Sequence, residues 1–427
     1  MVGFLHLADI HLLARFTRFP DEATRRLREA RYQALEGVRE RLRAEPGRVK
    51  FVLIAGDLFD DGQIKPDYAT RIFGFLSSFP VPVLVIPGNH DPYEPGAIWH
   101  SDPWRAARVE LPKDEQEASS ERTASSAGSI HEIASAGTVR LMVDRAPVRF
   151  SDLPGVTFFP CPVFQKTSYD DPTAWIAQYP RSESDGIRIG IGHGSVMDRP
   201  NLPEDDHPIP VGAATSLDLD YLALGHWHNP LTYSDSAGHV RMAYTGVHEP
   251  MRFPSGDQSG GGWTPYSSGG AEQFVDRGPG TGYFVSIAAA HARTTVETWS
   301  VGYFHWVVLH RAVGSIDDLR RVVDEVGSLK DPGRTLLRLT LSGSLPLESL
   351  SELDALDRIR DRFVHAEIDN QLVVEPTESE LNTLLGHGVV GRVYRQLRDE
   401  AATNGPEARV AREAIQQLYQ LSREAGA

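Results

Sequence analysis

The sequence has little cysteine, little basic charge and no long apolar run. Among its 427 residues Cys161 is the single cysteine, which excludes an internal disulfide and fits a reducing cytoplasm. Acidic residues outnumber basic ones by 58 to 43, so a net charge of -15 excludes a global positive field as the means of attracting polyanions. No run approaches the roughly 20 apolar residues of a membrane span. The first residues lack the basic segment and cleavage site of a signal peptide, so we expect a cytoplasmic protein without a membrane partner.

Short apolar runs end repeatedly in a side chain that can bind a metal ion. The run Phe4–Ala8 leads into Asp9 and His11, and the run Phe51–Ala55 leads into Asp57. Parallel strands present the residues at their carboxyl ends on one edge of a sheet, where open sheets bind ligands. We therefore expect one cluster of such side chains. Its members are Asp9, His11, Asp57, Asn89, His193, His226 and His228.

The stretch Val81–Asp91 shows the pattern most clearly. Its apolar part is typical of a strand that is buried on both faces. Gly88 allows a tight turn at the end of that strand, and the turn presents Asn89, His90 and Asp91. We interpret Asp91 as an orienting or turn residue.

Helices are predicted between the first three strands. The segment Asp21–Ala44 has an apolar stripe and stops before Pro46-Gly47, and a second helix is predicted over Tyr68–Phe79. Strand and helix then alternate, which predicts an α/β fold with a parallel sheet and right-handed crossovers.

The predicted cluster combines three oxygen-bearing and four imidazole side chains. One metal ion takes only about four to six protein ligands, so this number indicates a pair of ions with Asp57 as the bridging carboxylate. Mixed oxygen and imidazole ligands suit manganese, iron or zinc better than calcium. Such a pair can hold a phosphoryl group and lower the pKa of a bound water. His90 is placed to face the leaving oxygen as a general acid or as a stabilising cation.

Together the motifs resemble those of the calcineurin-like metallophosphoesterases. They are Asp9-Ile10-His11, Gly56-Asp57, Gly88-Asn89-His90-Asp91, Gly192-His193 and Gly225-His226-Trp227-His228. The sequence Gly56-Asp57-Leu58-Phe59-Asp60 is similar to the SbcD type, the bacterial relatives of the nuclease in the MRN complex. The resemblance implies an α/β sandwich of two sheets flanked by helices.

The resemblance also implies roles for individual residues. One manganese ion would be held by Asp9, His11, Asp57 and His228. The other would be held by Asp57, Asn89, His193 and His226. His90 would assist the transition state as the catalytic residue. DNA would be the substrate, an SbcC-like coiled-coil ATPase the partner, and pairing of N-terminal domains would make a homodimer.

Three domains are expected on this basis. They are a nuclease domain over 1–301, a small α/β capping domain that contacts DNA over 302–376, and a helical tail over 377–427 that docks a partner. The capping domain is predicted from strands at Trp306–Leu309, Thr335–Leu341 and Glu367–Val374 and helices at Ser315–Leu329 and Leu347–Phe363. The tail is predicted as two helices, Thr377–Glu400 and Glu407–Arg423.

The chain departs from the family at several positions. Archaeal members carry histidine where Asp60 stands, so a role of that histidine does not transfer. The turn Gly246–Pro250 replaces a Gly-Ser-Pro-like turn, and His248 and Arg252 either contact phosphate or belong to a simple surface loop. Residues Ser255–Gly282 are rich in glycine and serine and are predicted as one long loop, and Glu115–Gly128 as a surface loop.

Three hypotheses of function follow. The first is a manganese-dependent DNA exonuclease or endonuclease in DNA repair, acting with the ATPase, which would supply the basic surface that this acidic chain lacks. The alternative is a stand-alone phosphodiesterase or phosphatase acting on nucleotides or phosphoproteins. The third, a non-catalytic scaffold, conflicts with the complete ligand set.

Overall fold

The computed structural model describes residues 1–111, 130–134, 136–198, 202–253, 273–276, 280–346, 353–375 and 388–401, together with positions 407, 410, 411, 414, 415, 417, 418 and 421. The chain divides into two compact units. The first comprises Met1–Trp263 and Arg277–Trp306, and the second comprises Thr264–Asp276 and Val307–Ala427. The division into nuclease, capping and docking domains stays a prediction.

Most strands belong to the first unit. They are β1 Val2–Leu7, β2 Val52–Ala55, β3 Val83–Ile86, β4 His131–Ile133, β5 Val139–Leu141, β6 Val148–Phe150, β7 Val156–Cys161, β8 Ile187–His193, β9 Tyr221–Gly225, β10 Pro230–Ser234 and β11 Val240–Thr245, and later in the chain β13 Thr281–Ile287 and β14 Thr294–Ser300. The remaining strands are β12 Gln273–Asp276, β15 His305–Val313, β16 Thr335–Pro346 and β17 His365–Glu375. The helices are α1 Asp21–Ala44, α2 Pro66–Ser77, α3 Asp102–Ala107, α4 Ala213–Ser216, α5 Ile316–Gly327, α6 Asp354–Arg360 and α7 Gly388–Ala401.

The first unit is a sandwich of two mixed sheets. One sheet has the order β14-β13-β1-β2-β3-β5 and the other has the order β10-β11-β9-β8-β7-β6-β4. In the first sheet β1, β2, β3 and β5 run parallel, as the alternation of strands and helices predicted. The facing sides pack through rings such as Phe4 on Tyr221 at 5.8 Å and Phe51 on Phe158 at 5.2 Å. The predicted α/β fold class is confirmed.

Alternation along β1 explains how the layers form. Phe4 belongs to the core between the sheets, whereas Leu5 and Leu7 belong to the core on the other side of the first sheet. There they join Leu35 and Val38 of α1, which come from the predicted apolar stripe. The helices thus cover the outer face of this sheet and leave its carboxyl edge available for the site.

The second unit has a sheet with the order β12-β15-β16-β17 and its own core. α5 contributes Leu319 and Val322 to that core. Ser315 caps the N-terminus of this helix, because its Oγ accepts the backbone N–H of Asp318 at 3.2 Å. None of the helices within the described residues is long and apolar enough to cross a membrane.

Two predictions about irregular and helical segments need correction. The expected loop Ser255–Gly282 contains β12, and β13 begins at Thr281. Pairing of β12 with β15 makes this strand, and such long-range pairing overrides a glycine-rich local pattern. The helix expected over Leu347–Phe363 is shorter where it is described, as α6.

Several other predictions fall on residues without a description. Positions 254–272, 277–279, 347–352 and 376–387 lie outside the described residues, as does the predicted surface loop Glu115–Gly128. The first predicted tail helix is described only as α7, and the second only at single positions.

Candidate metal centre

The structure gathers all seven predicted ligands and His90 at the carboxyl edges of the two sheets. The first sheet delivers Asp9 and His11 after β1, Asp57 after β2, and Asn89 after β3. The second sheet delivers His193 as the last residue of β8, and His226 and His228 after β9. Three groups have ligand atoms within 4.8 Å of one another, namely Asp9–His11–His228, His11–Asp57–His90 and Asp9–Asp57–His193.

Asp57 lies between two sets of nitrogen atoms. Its Oδ2 is 3.6 Å from Nε2 of His11 and 3.4 Å from Nε2 of His193. His11 Nε2 in turn lies 3.1 Å from Nε2 of His228. This is the place expected of a bridging carboxylate, and the bridging role itself stays a prediction.

Asn89 joins the other side of the cluster. Its Oδ1 lies 2.8 Å from Nε2 of His193 and 3.2 Å from Nδ1 of His226. Asp9 accepts the backbone N–H of His226 with both carboxylate oxygens, at 2.9 and 3.1 Å. Asp9, predicted to hold the first ion, thus also lies against residues of the second set, and the division of the ligands between two ions stays a prediction.

The electrostatics of the cluster fit divalent cations. Burial lowers the pKa of His11 and of His228, so both imidazoles are neutral, with lone pairs able to bind a cation. Burial opposes the charge of Asp57, yet the neighbouring His193 outweighs burial and lowers the pKa of Asp57. Burial raises the pKa of Asp9 to about 7, so keeping Asp9 charged beside Asp57 at neutral pH requires positive charge at the site. Oxygen and imidazole donors suit manganese, iron or zinc.

The loops that carry these ligands have strained backbones. Asp9, His11 and Asp57 have φ of +52°, +43° and +51°, in the left-handed region that residues other than glycine rarely adopt. Such strain costs about 1–3 kcal/mol for each residue and persists only where the surroundings enforce it. Here the backbone N–H of Asp9 donates to Gly56 O at 3.3 Å, and that of His11 donates to Asp57 O at 2.9 Å.

Glycines in the motifs make room for the cluster. A Cβ on Gly88 would lie 2.2 Å from Oδ1 of Asp57, and one on Gly225 would lie 1.9 Å from the carbonyl oxygen of Ala55. Neither close approach is compatible with a side chain. Gly88, before Asn89, and Gly225, before His226, are therefore required by packing around the site.

Hydrogen bonds behind the ligands fix which nitrogen faces the cluster. Nδ1 of His193 donates to Ala55 O at 2.9 Å, which leaves Nε2 for the site. Nε2 of His226 donates to Oδ2 of Asp206 at 2.8 Å, which leaves Nδ1. Asp206 also accepts a hydrogen bond from Ser195 Oγ. Partners of this kind orient metal ligands and raise their basicity.

Sequence reasoning missed Asp206 and Ser195. Asp206 comes near the site because Ser168 pairs with it in an isolated bridge and its carbonyl accepts the N–H of Ser195. The acidic run Glu204-Asp205-Asp206 was the only local signal, and such a run is usually a solvated surface.

His90 differs from the buried ligands because it is exposed. Its backbone N–H donates to Oδ1 of Asp57 at 2.9 Å, and Nδ1 donates to the carbonyl oxygen of Asp60 at 3.1 Å. Its ring meets the ring of His11 edge-on at 4.8 Å. The residue is therefore firmly attached to the cluster and open to a substrate.

Asp60 and Asp91 support this part of the site. Oδ1 of Asp60 lies 3.1 Å from Nδ1 of His11, although the angles fall short of a hydrogen bond. Asp91 is buried and accepts the N–H groups of Gly88 at 2.7 Å and Phe59 at 2.9 Å. These bonds join the loops after β2 and β3, and the role of Asp91 as an orienting or turn residue stays a prediction.

The surface-loop alternative for His248 was wrong, because this residue is fully buried, and its contact with phosphate stays a prediction. Its Nε2 donates to the carbonyl oxygen of Arg31 at 3.1 Å. Arg252, by contrast, is exposed.

The sandwich and the ligand cluster define a metal-dependent phosphoester hydrolase. The family model for calcineurin-like phosphoesterases matches residues 3–230, which is more than half of the chain, and the protein belongs to this family. The match spans every predicted ligand from Asp9 to His228. No curated protein matches the chain.

Proposed function

We propose that the protein is a manganese-dependent DNA exonuclease or endonuclease of the SbcD type. It processes DNA ends for repair in the cytoplasm with an SbcC-like coiled-coil ATPase as partner, and it forms a homodimer. The family membership supports phosphoester hydrolysis, and the choice of DNA and of the partner goes beyond it.

The observation that carries the proposal is the second compact unit. It has its own sheet and core, yet the predicted ligands from Asp9 to His228 all belong to the first unit. Hydrolysis of a small phosphoester requires no such addition. A polymeric substrate extends beyond the bond that is cut, and contacts remote from that bond contribute binding energy to the reaction.

The second motif gives further support. In the SbcD-like sequence Gly-Asp-Leu-Phe-Asp, Phe59 packs against Trp99 and Trp104 at 5.3 and 5.6 Å. Asp60, the last residue of the motif, is close to His11 and accepts a hydrogen bond from His90 through its carbonyl. The residues that distinguish this variant thus hold the loop around the proposed catalytic histidine.

The roles of the residues follow from the geometry. Asp9, His11, Asp57 and His228 would hold one ion, and Asp57, Asn89, His193 and His226 the other. When bound, two such ions polarise a phosphoryl group and lower the pKa of a water. His90, exposed beside them, holds or donates a proton at the leaving oxygen.

Hydrolysis of four substrates tests the proposed activity. We expect the protein with Mn²⁺ to cleave bis(p-nitrophenyl) phosphate, a labelled single-stranded oligonucleotide and, with the partner, a blunt duplex. Turnover of p-nitrophenyl phosphate should be slow by comparison. Asp57→Ala serves as the inactive control. Rapid monoester hydrolysis without oligonucleotide cleavage would instead favour the stand-alone phosphatase.

The exposed face of α7 allows a test of the partner. Val389 and Val393 are 67% and 44% exposed and lie one helical turn apart. We expect Val389→Asp with Val393→Asp to abolish co-purification with the proposed SbcC-like ATPase, while diester hydrolysis continues. Val211→Asp is the matched control, because Val211 is 50% exposed and lies in the first unit. Full retention of the ATPase by the double variant would contradict docking through this face.

A further inference from the structure

An arginine is fully buried behind the metal-binding loop. Arg31 lies in α1, and its Nε donates to the carbonyl oxygen of Ile10 at 2.8 Å. Its Nη1 donates to the carbonyl oxygen of Glu249 at 3.0 Å. Arginine is almost never fully buried unless it is paired, so this position requires an explanation.

The first contact falls at the centre of the strained loop. Ile10 stands between the predicted ligands Asp9 and His11, both of which have left-handed φ values. Main-chain bonds hold the N–H groups of these two ligands, as described above. The bond from Arg31 holds the carbonyl between them, and with it the orientation of the peptide that places the two side chains.

The turn Gly246–Glu249 in its turn contacts Arg31 and fixes its position through two residues, His248 and Glu249. His248 donates to the carbonyl oxygen of Arg31, and Glu249 accepts the guanidinium through its own carbonyl. The Glu249 carboxylate accepts the N–H groups of Tyr303 and Phe304, the latter at 3.3 Å. Arg31, His248 and Glu249 form a buried group that we call the Arg31 brace.

The Arg31 brace contains a buried positive charge, the guanidinium of Arg31. The guanidinium is near the carboxylates of Glu249, Asp60 and Asp9, which favour its charged form. Burial lowers the pKa of Arg31 to about 10, so it stays cationic at neutral pH. Within the described residues its Nη2 is buried and has no hydrogen-bond partner. Burial of this positive charge is costly in free energy, and the two carbonyl acceptors and the nearby carboxylates offset part of that cost.

We propose that Arg31 is a positioning residue for the metal centre, and that the turn Gly246–Glu249 keeps it in place. Arg31 acts through the Ile10 carbonyl to set the positions of Asp9 and His11. The inference rests on metal-dependent phosphoester hydrolysis alone and does not require DNA as the substrate.

The same helix offers a matched control. Arg28 also donates its Nε to a loop carbonyl, that of Ala14 at 2.8 Å, but Ala14 is not adjacent to a ligand. Arg31→Met, Arg31→Lys and Arg28→Met can therefore be compared. The measurements are calorimetric titration of chelator-treated protein with Mn²⁺, kcat and KM on bis(p-nitrophenyl) phosphate, and thermal unfolding.

We expect Arg31→Met to weaken Mn²⁺ binding roughly 10–100-fold, as loss of a partner behind metal ligands does. Excess Mn²⁺ should restore part of its kcat, and KM should change little. Arg31→Lys keeps the positive charge but has one nitrogen in place of the three of the guanidinium. It should recover part of the Mn²⁺ affinity. Arg28→Met should bind Mn²⁺ like the wild type even if its Tm falls.

Equal losses of Tm in Arg31→Met and Arg28→Met, with unchanged Mn²⁺ binding in both, would overturn the proposal. If Arg31→Met does not fold, Arg31→Lys tests the proposal instead. An Mn²⁺ affinity equal to that of the wild type in Arg31→Lys would also contradict the proposal. Oligonucleotides take no part in this test, so its failure leaves the proposed nuclease activity standing. Failure of the oligonucleotide assay likewise leaves this inference standing.

Discussion

Removal of the Asp206 carboxylate should loosen one metal ion while leaving the fold intact. Asp206 accepts the Nε2–H of His226 at 2.8 Å and the hydroxyl of Ser195, and the bond to His226 keeps Nδ1 for the cluster. In Asp206→Ala the imidazole loses this partner, and its two tautomers and its ring orientation become less restricted. The side of the cluster with Asn89, His193 and His226 should therefore bind its ion more weakly.

The expected loss of Mn²⁺ affinity in Asp206→Ala follows from the strength and the exposure of this hydrogen bond. A hydrogen bond to a charged group contributes about 1.5–3 kcal/mol. The Asp206 side chain is 24% exposed, so water replaces part of the lost bond and the lower end applies. At about 1.4 kcal/mol for a factor of ten, we expect roughly tenfold weaker binding of one Mn²⁺. Asp206→Asn keeps an acceptor oxygen and should lose less.

Calorimetric titration with Mn²⁺ measures this directly, because the two ions should then separate into a tighter and a weaker step. Asp205→Asn is the control, since it makes the same change of charge one residue away. Identical titrations of Asp206→Ala and Asp205→Asn would refute the reasoning. A loss spread equally over both ions would show that Asp206 acts on the site as a whole and not through His226.

Three further predictions concern catalysis, packing and pH. His90→Asn should keep both ions and lose roughly 10²–10⁴-fold in kcat on a diester, so loss of Mn²⁺ in calorimetry would make His90 a ligand instead. Gly225→Ala should abolish Mn²⁺ binding, because its Cβ would lie 1.9 Å from Ala55 O; a variant with wild-type titration would show that the loop can shift. Burial raises the pKa of Glu249 from 4.5 to about 7, so the folded chain keeps a proton that the unfolded chain releases. Stability should fall as pH rises between these values, by up to about 1.4 kcal/mol for each pH unit, and urea unfolding of Glu249→Gln should lack this segment of the pH profile.

The sequence allowed prediction of whatever depends on local pattern. α1 begins and ends at the predicted residues, since its apolar stripe is regular and Pro46-Gly47 follows. The grouping of the seven side chains could be predicted because the carboxyl ends of strands share an edge of a sheet, and that rule needs no knowledge of which strands pair. The strand β12 could not, because it depends on β15, far away in the chain.

Arg31 shows where such prediction fails and how it could be improved. It is flanked at intervals of one turn by Leu27 and Leu35, and all three are buried. Arg31 therefore stands in the middle of the apolar stripe that predicted the helix, and periodicity alone treats it as a tolerated exception. Burial of a guanidinium costs so much free energy that an exception at the centre of a stripe requires acceptors from elsewhere in the fold. Here those acceptors are the carbonyls of Ile10, between two predicted ligands, and of Glu249. A charged residue at the centre of an apolar stripe is thus itself a signal. It indicates that polar groups from another part of the fold are buried against the helix at that position.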